Sequence, residues 1–117
     1  MYRLDVDRSN KRFTVILSGF WTLEEGTRYL DDYQEQVSSF DPREYVLMID
    51  ARDIKTSTPE VANLFQKALQ LFVQDPFKNR FMTKLRHVMA QLQIARLGQA
   101  IPGFDTIIFV ESLEESR

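Results

Sequence analysis

The sequence predicts a single α/β domain with a mixed, largely parallel sheet that opens with a β-hairpin. Two strand patterns are separated by a short polar turn, apolar runs of strand length recur later, and helical patterns alternate with those runs. The resulting order is strand, strand, helix, strand, helix, strand, helix, strand. Because strands that are joined through helices run parallel by right-handed crossovers, only the opening pair is expected to be antiparallel.

The predicted hairpin joins an edge strand over residues 2–7 to a second strand over residues 12–21. In the first strand, apolar and charged residues alternate, which is typical of a strand with one buried face. The second strand places Phe13, Val15 and Leu17 on one face, so this side of the hairpin is expected to cover the core.

Capping signals mark the starts of the first two predicted helices. The segment Thr22 to Glu25 has a hydroxyl at the cap and a carboxylate three residues later. The segment Ser57 to Glu60 combines cap hydroxyls with a proline suited to a first helical turn. The first helix is predicted to end near Asp41-Pro42, the second near Gln74, and a third is predicted over residues 85–100.

Three more strands complete the predicted sheet. The run Tyr45 to Ile49 is continuously apolar and too short for a helix, which is typical of a central parallel strand. Residues 80–83 and 107–110 predict the last two strands, and an acidic tail over residues 111–117 follows them. Whether the helices cover one face of this sheet or both stays open at this point.

Size and composition narrow the class of protein. The 117 residues fit one domain, predicted over 1–117, and the absence of cysteine excludes disulfides and thiolate metal sites. A formal net charge of −2 argues against a nucleic-acid-binding protein. No apolar run is long enough to span a bilayer, and the first residues lack a signal-peptide core. A cytoplasmic protein is therefore expected.

The order of elements and the residues at the strand ends resemble the STAS domains of anti-sigma-factor antagonists and of sulfate transporters. The resemblance rests on Phe13 to Gly19 before the first helix, Val46 to Asp50 before the second, Val88 to Gln93, and Phe109 to Glu115. It covers nearly the whole chain and is nearest to a divergent, mostly uncharacterised STAS-like group of small bacterial proteins. The resemblance implies a regulatory module whose partner is a kinase-like or other signalling protein.

One departure from the family concerns the start of the second helix. The antagonists usually carry an Asp-Ser-Ser-Gly-like phosphoacceptor there, whereas residues 55–60 keep hydroxyls without that Asp and Gly. Ser57 and Thr58 therefore have two interpretations. Their hydroxyls cap the helix, or one of them accepts a phosphate, which a helix N-terminus tolerates electrostatically. With Asp53 and Lys55 beside them, they form the predicted contact site.

No other pattern predicts catalysis, a cofactor or a bound metal. Asp50 and Asp53 lie at the carboxyl end of the central strand, where a cation site or proton transfer is conceivable. Two carboxylates without a third ligand favour the alternative, in which Asp50 caps loop amides and Asp53 faces water or pairs with Arg52 or Lys55. His87 is the single histidine and lacks an evident acid partner, so a surface position is expected. The sequence therefore predicts a protein that is not an enzyme.

Two surface features each leave two interpretations open. Residues 78–96 carry only basic charges, whereas the first helix and the tail are acidic. This basic stretch is either a solvated face or a contact for an acidic partner, an anionic lipid or nucleic acid. The second helix has an unusually broad apolar arc. It either lodges between the sheet and its neighbours or forms a patch for self-association or a partner.

These observations predict a non-enzymatic protein-interaction or regulatory module that makes contact around the start of the second helix. Two alternatives are retained. One is a small-molecule or lipid-binding domain, since a related fold binds lipids beneath a mobile helix. The other is a structural subunit that self-assembles into a homo-oligomer through the second helix.

Overall fold

A computed structural model describes residues 1–55 and 57–116, and Thr56 and Arg117, which belong to the predicted site loop and the acidic tail, lie outside it. Five strands form one sheet in chain order; the first pair is antiparallel and the others are parallel. This mixed α/β architecture is the one predicted. The elements are β1 (Tyr2–Asp7), β2 (Arg12–Gly19), α1 (Leu23–Val37), β3 (Val46–Ile54), α2 (Pro59–Gln74), β4 (Asn79–Thr83), α3 (Val88–Gly98) and β5 (Ile107–Val110).

Several element bounds differ from the predicted ones. β2 ends at Gly19 and not at residue 21, and α1 ends at Val37, before the predicted end near Asp41-Pro42. β3 continues to Ile54, beyond the predicted end at Ile49, because pairing with β2 resumes after a bulge and carries the polar residues with it. α3 begins at Val88 and not at residue 85. The reason is that the chain stays extended after β4, where the amide of Arg86 donates a hydrogen bond of 2.9 Å to the carbonyl of Arg52.

All three helices pack on one face of the sheet. From α1, the ring of Tyr33 lies 5.7 Å from that of Phe13 on β2. Side chains from α2 and α3, among them Phe65 and Ile94, pack over Leu17 on that same face. Among the described residues, no α-helix lies on the opposite face. A short helical turn over 113–116 packs near the ends of β3, β4 and β5. Within residues 1–55 and 57–116, no helix has the length and apolar character needed to span a membrane.

The broad apolar arc of α2 is accounted for by its central position. α2 packs against the sheet, against α1 on one side and against α3 on the other. A helix with three covered sides needs apolar residues around most of its circumference. The lodged position is therefore the interpretation that fits, and these side chains are not a surface patch. The buried residues of α2 are Val61, Ala62, Phe65, Ala68, Leu69 and Phe72.

A polar network fixes the end of α2. The guanidinium of Arg80 on β4 donates to the carbonyl oxygens of Phe72, Val73 and Asp75 at 2.5, 3.0 and 2.7 Å. These carbonyls have no partner within the helix ladder, so a cation at this place satisfies them and opposes the helix dipole. The hydroxyl of Tyr33 donates to the carboxylate of Asp75 at 2.9 Å. Arg80 and Tyr33 together thereby join β4, α2 and α1 at the end of α2.

An aromatic cluster fills the space between α1 and the sheet. Tyr29 is 2% exposed and meets Trp21 edge to face at 5.7 Å. The hydroxyl of Tyr29 has no hydrogen-bond partner among the described residues. Burial raises the pKa of Tyr29, and burial together with the nearby Asp75 carboxylate raises the pKa of Tyr33. Both phenols are therefore neutral in the folded state far into the alkaline range.

These two tyrosines predict a steep loss of stability at alkaline pH. Since both pKa values are raised on folding, their contribution is complete below about pH 10 and is lost as the pH rises above that value. Each tyrosine is expected to lower the free energy of unfolding by about 1.4 kcal/mol per pH unit there. The measurement is urea unfolding of the wild type and Tyr29→Phe at several pH values above and below this point.

Above about pH 10, Tyr29→Phe should lose stability with rising pH less steeply than the wild type, by the contribution of one tyrosine, about 1.4 kcal/mol per pH unit. At neutral pH it should change stability by less than about 1 kcal/mol, because no hydrogen bond of the Tyr29 hydroxyl is lost. An alkaline slope that Tyr29→Phe leaves unchanged contradicts the assignment.

Candidate functional site

The carboxyl ends of β2 and β3 meet the starts of α2 and α3 at one edge of the molecule. β2 leaves the sheet at Gly19, whose φ of +80° is in the left-handed region that favours glycine. The next residue, Phe20, is 71% exposed. We use the name carboxyl-edge surface for Phe20, Lys55, Ser57, Thr58 and His87. This is the edge at which open α/β sheets usually present their binding residues.

Lys55 is held at this edge by groups that carry no negative charge. Its backbone amide donates to the carbonyl of Gly19 at 3.2 Å. Its ammonium lies 5.6 Å from the centre of the Phe20 ring and 3.5 Å from Nε2 of His87. A cation over an aromatic face gains a modest electrostatic attraction and keeps its charge available to a partner. Lys55 therefore adds positive charge to the carboxyl-edge surface.

Each carboxylate that the sequence placed here is paired with an arginine. The two oxygens of Asp50 accept hydrogen bonds from Arg52 at 3.1 and 3.0 Å. Asp53 accepts from Arg86 at 3.0 Å, so the expected pairing of Asp53 with Arg52 or Lys55 is replaced by one to the segment after β4. Among the described residues, no group of three or more His, Asp or Glu side chains is placed to hold a metal ion. The arrangement is that of surface ion pairs.

Ser57 and Thr58 have different roles in the structure. Thr58 is the N-cap of α2: its hydroxyl accepts from the amide of Val61 at 3.4 Å. The side-chain amide of Gln93 makes two hydrogen bonds with the backbone of Ser57: its oxygen accepts from the Ser57 N–H at 3.1 Å, and its nitrogen donates to the Ser57 carbonyl at 3.2 Å. We call this pair of hydrogen bonds the bracket from Gln93. Within the described part of the chain, the Ser57 hydroxyl makes no hydrogen bond. Of these two residues, Ser57 is therefore the one with an uncommitted hydroxyl.

The largest exposed apolar surface of α3 continues from this edge. Val88, Met89 and Leu92 are 72%, 66% and 53% exposed, and Ala95 follows them on the same side of the helix. We call these four residues the α3 stripe. The opposite side of α3 is also apolar and is buried against the core by Ala90, Ile94 and Gly98. α3 is thus apolar on two sides, of which the rest of the chain covers one.

Sequence reasoning missed the α3 stripe. The signal was present, because the helix carries large apolar residues at positions that cannot all face one sheet. The same signal in α2 marks a buried helix, and in α3 it marks an exposed one. The two cases differ because α3 lies beside a single helix, α2, and its outer side stays exposed within residues 1–55 and 57–116.

The concavities of the molecule are not enclosed ligand sites. An apolar void between the sheet, α2 and α3 has a volume of about 10 Å³, far below the roughly 300 Å³ at which small-molecule pockets begin. An open groove of about 480 Å³ lies between α1 and α2, lined by apolar side chains that include Leu30, Leu64 and Leu71, and is away from the carboxyl-edge surface. Its rim mixes amides and charges without a convergent polar group. The exposed carboxyl-edge surface and the α3 stripe are therefore the stronger candidates.

Thr58→Ala and Ser57→Ala should separate the two hydroxyls by their effect on stability. Thr58→Ala removes the cap of α2 and should lower the free energy of unfolding by about 0.5–1 kcal/mol, at the lower end of the range because the bond is long. Ser57→Ala should leave the free energy of unfolding nearly unchanged, because Gln93 binds the backbone of Ser57 and not its hydroxyl. Chemical denaturation of both variants provides the measurement. Equal losses would contradict the assignment.

Comparisons with known proteins inform the fold alone. No family model matches the chain, and no curated protein matches it. Among solved structures it is similar to an uncharacterized protein from the DUF3478 family with a SpoIIAA-like fold, from Shewanella loihica PV-4. The TM-score is 0.67 at 15% sequence identity, over 98% of this chain and 88% of the other. The chain therefore has a SpoIIAA-like, STAS-like fold, as the sequence predicted.

Proposed function

We propose that this protein is a non-enzymatic interaction module that binds another protein through the α3 stripe and the adjoining carboxyl-edge surface. The observation that carries the proposal is that α3 is apolar on two sides while the chain covers only one. A helix that is apolar around its circumference is normally buried on all sides. Contiguous exposed apolar side chains with a polar surround are typical of contact surfaces between proteins.

The contact site in this proposal is larger than the one that the sequence predicted. Lys55, Ser57 and Thr58 stay within it, and Phe20 and the α3 stripe extend it. The bracket from Gln93 supports this combination, because it couples the loop before α2 to α3 through two hydrogen bonds. Asp53 takes part indirectly, since its ion pair with Arg86 holds the segment that leads into α3.

Regulation by phosphate belongs to the same proposal, with Ser57 as the acceptor. Its hydroxyl is uncommitted, whereas Thr58 caps α2. A phosphate on Ser57 would lie one residue before the cap of α2, where helix N–H groups and the Lys55 ammonium favour negative charge. It would also alter the charge of the contact surface next to the α3 stripe, so a partner would experience the modification directly.

Loss of the α3 stripe should abolish partner binding. The experiment is affinity capture of the tagged protein from its native host at low salt, read by mass spectrometry, with the wild type and Met89→Ser/Leu92→Ser. Because two exposed apolar anchors are replaced, recovery of the partner should fall at least tenfold, which corresponds to about 1.4 kcal/mol or more. Ile108→Thr is the matched control, since Ile108 is 49% exposed on the helix-free face of the sheet.

The outcomes separate the candidate functions. A partner lost with the double variant and retained with Ile108→Thr supports the proposal, and its loss with Ser57→Asp would support regulation at that residue. A partner recovered equally by all variants contradicts this surface. If the purified wild type is an oligomer by light scattering and the double variant is a monomer, the stripe serves self-assembly instead.

A further inference from the structure

The longest segment of the chain without Asp or Glu includes α3. Residues 76–104 contain five of the fifteen Lys and Arg and none of the seventeen Asp and Glu. The remaining residues therefore carry ten cations against seventeen carboxylates, although the whole protein is near neutrality at −2. The acid-free segment includes all of β4 and α3. The α3 stripe thus lies in a segment whose own charges favour a negatively charged partner.

Most cations of this segment already have partners in the chain. Arg80 binds carbonyl groups at the end of α2, Lys84 pairs with Glu111, and Arg86 pairs with Asp53. Arg96, in the last turn of α3, makes no ion pair within the described residues. At the other end of the helix, Lys55 contacts Phe20 and His87 and no carboxylate that the structure describes.

The fifth cation of the segment, Lys78, is exposed just before β4 and away from α3. Lys55 and Arg96, by contrast, stand at opposite ends of the α3 stripe. Nine residues separate His87, which contacts Lys55, from Arg96, which at the rise of an α-helix is about 13 Å along the axis. Val88, Met89 and Leu92 occupy the space between them, and the small Ala95 allows a close approach. The surface consists of a positive end, an apolar centre and a second positive end.

We propose that the partner contributes an acidic amphipathic helix that packs along the α3 stripe. Its apolar residues would contact Met89 and Leu92, and carboxylates about two turns apart would reach Lys55 and Arg96. This inference rests on the proposed function and specifies the chemistry of the partner. A protein helix is favoured over an anionic bilayer because juxtamembrane lipid binding normally uses about four to eight clustered cations, and this surface offers two.

Two synthetic helical peptides test the inference with the purified full-length protein. Both carry the same leucines at helical spacing and differ only in having Glu or Lys at the flanking positions. At about 0.05 M NaCl the Glu peptide should bind about tenfold tighter by fluorescence anisotropy, because two contacts change from attraction to repulsion in the Lys peptide. The difference should shrink in about 0.5 M NaCl, where charges on the surface are screened.

Charge reversal supplies the matched variants. Lys55→Glu/Arg96→Glu should reverse the preference toward the Lys peptide. Lys67→Glu/Lys78→Glu, which changes the net charge equally at exposed positions away from α3, should keep the preference for the Glu peptide. A preserved Glu preference after reversal at Lys55 and Arg96 overturns the inference.

Three further outcomes overturn it in different ways. Equal affinity for both peptides refutes the acidic partner and leaves the interaction module standing. Failure to bind either peptide counts against the α3 stripe as a helix-binding surface, and so against both proposals. Binding to phosphatidylglycerol vesicles but not to phosphatidylcholine vesicles, lost on the same charge reversal and without a preference between the peptides, assigns the surface to a bilayer.

Discussion

The handedness of the crossover connections is the constraint on which the rest of the structure depends. Each of the three crossovers adds the next parallel strand on the same side of the previous one. Because such connections are right-handed, all three helices fall on one face of the sheet. α2 is then central and covered on both flanks, whereas α3 has a helix on one flank only. The exposed side of α3 is a consequence of topology, and its apolar composition is a property of the sequence.

The same topology brings the carboxyl ends of the parallel strands to one edge, where three separate segments meet. Phe20 comes from the end of β2, Lys55 from the loop after β3, and His87 from the segment after β4. Short polar contacts fix these segments relative to one another, above all the bracket between Gln93 and the backbone of Ser57. A surface built in this way is held by hydrogen bonds, and its described residues combine positive charge with exposed apolar area.

The sequence was most informative where local chemistry decides the structure. The cap and proline at Thr58-Pro59 identified the start of α2, and the alternation along β1 identified an edge strand. It was less informative where the outcome depends on distant residues. The extension of β3 to Ile54 depends on pairing with β2, and the late start of α3 depends on a hydrogen bond between Arg86 and Arg52. Neither partner is evident from the pattern of either segment alone.

The candidate site likewise contains features that local sequence predicts and features that depend on distant residues. Ser57, Thr58, Asp53 and Lys55 lie at the predicted edge, but the sequence could not assign Thr58 to the cap and Asp53 to Arg86. The α3 stripe was not predicted, because an apolar residue has the same identity whether a neighbour covers it or not. The arc of α2 left a buried helix and a surface patch open, and packing on three sides accounts for it as a buried helix. Exposure is a property of the assembled domain, and periodicity reports only which residues share a side.

The central claim, that the α3 stripe is uncovered in the isolated protein, is tested most directly by methyl NMR with a soluble nitroxide. The methyl signals of Met89 and Leu92 should broaden strongly, as freely accessible groups do, while those of Leu69 and Ile94 should be protected because these side chains are 2% and 4% exposed. Protection of Met89 and Leu92 equal to that of Leu69 in a dilute monomer would mean that the chain covers its own stripe. That result would contradict the proposed contact surface.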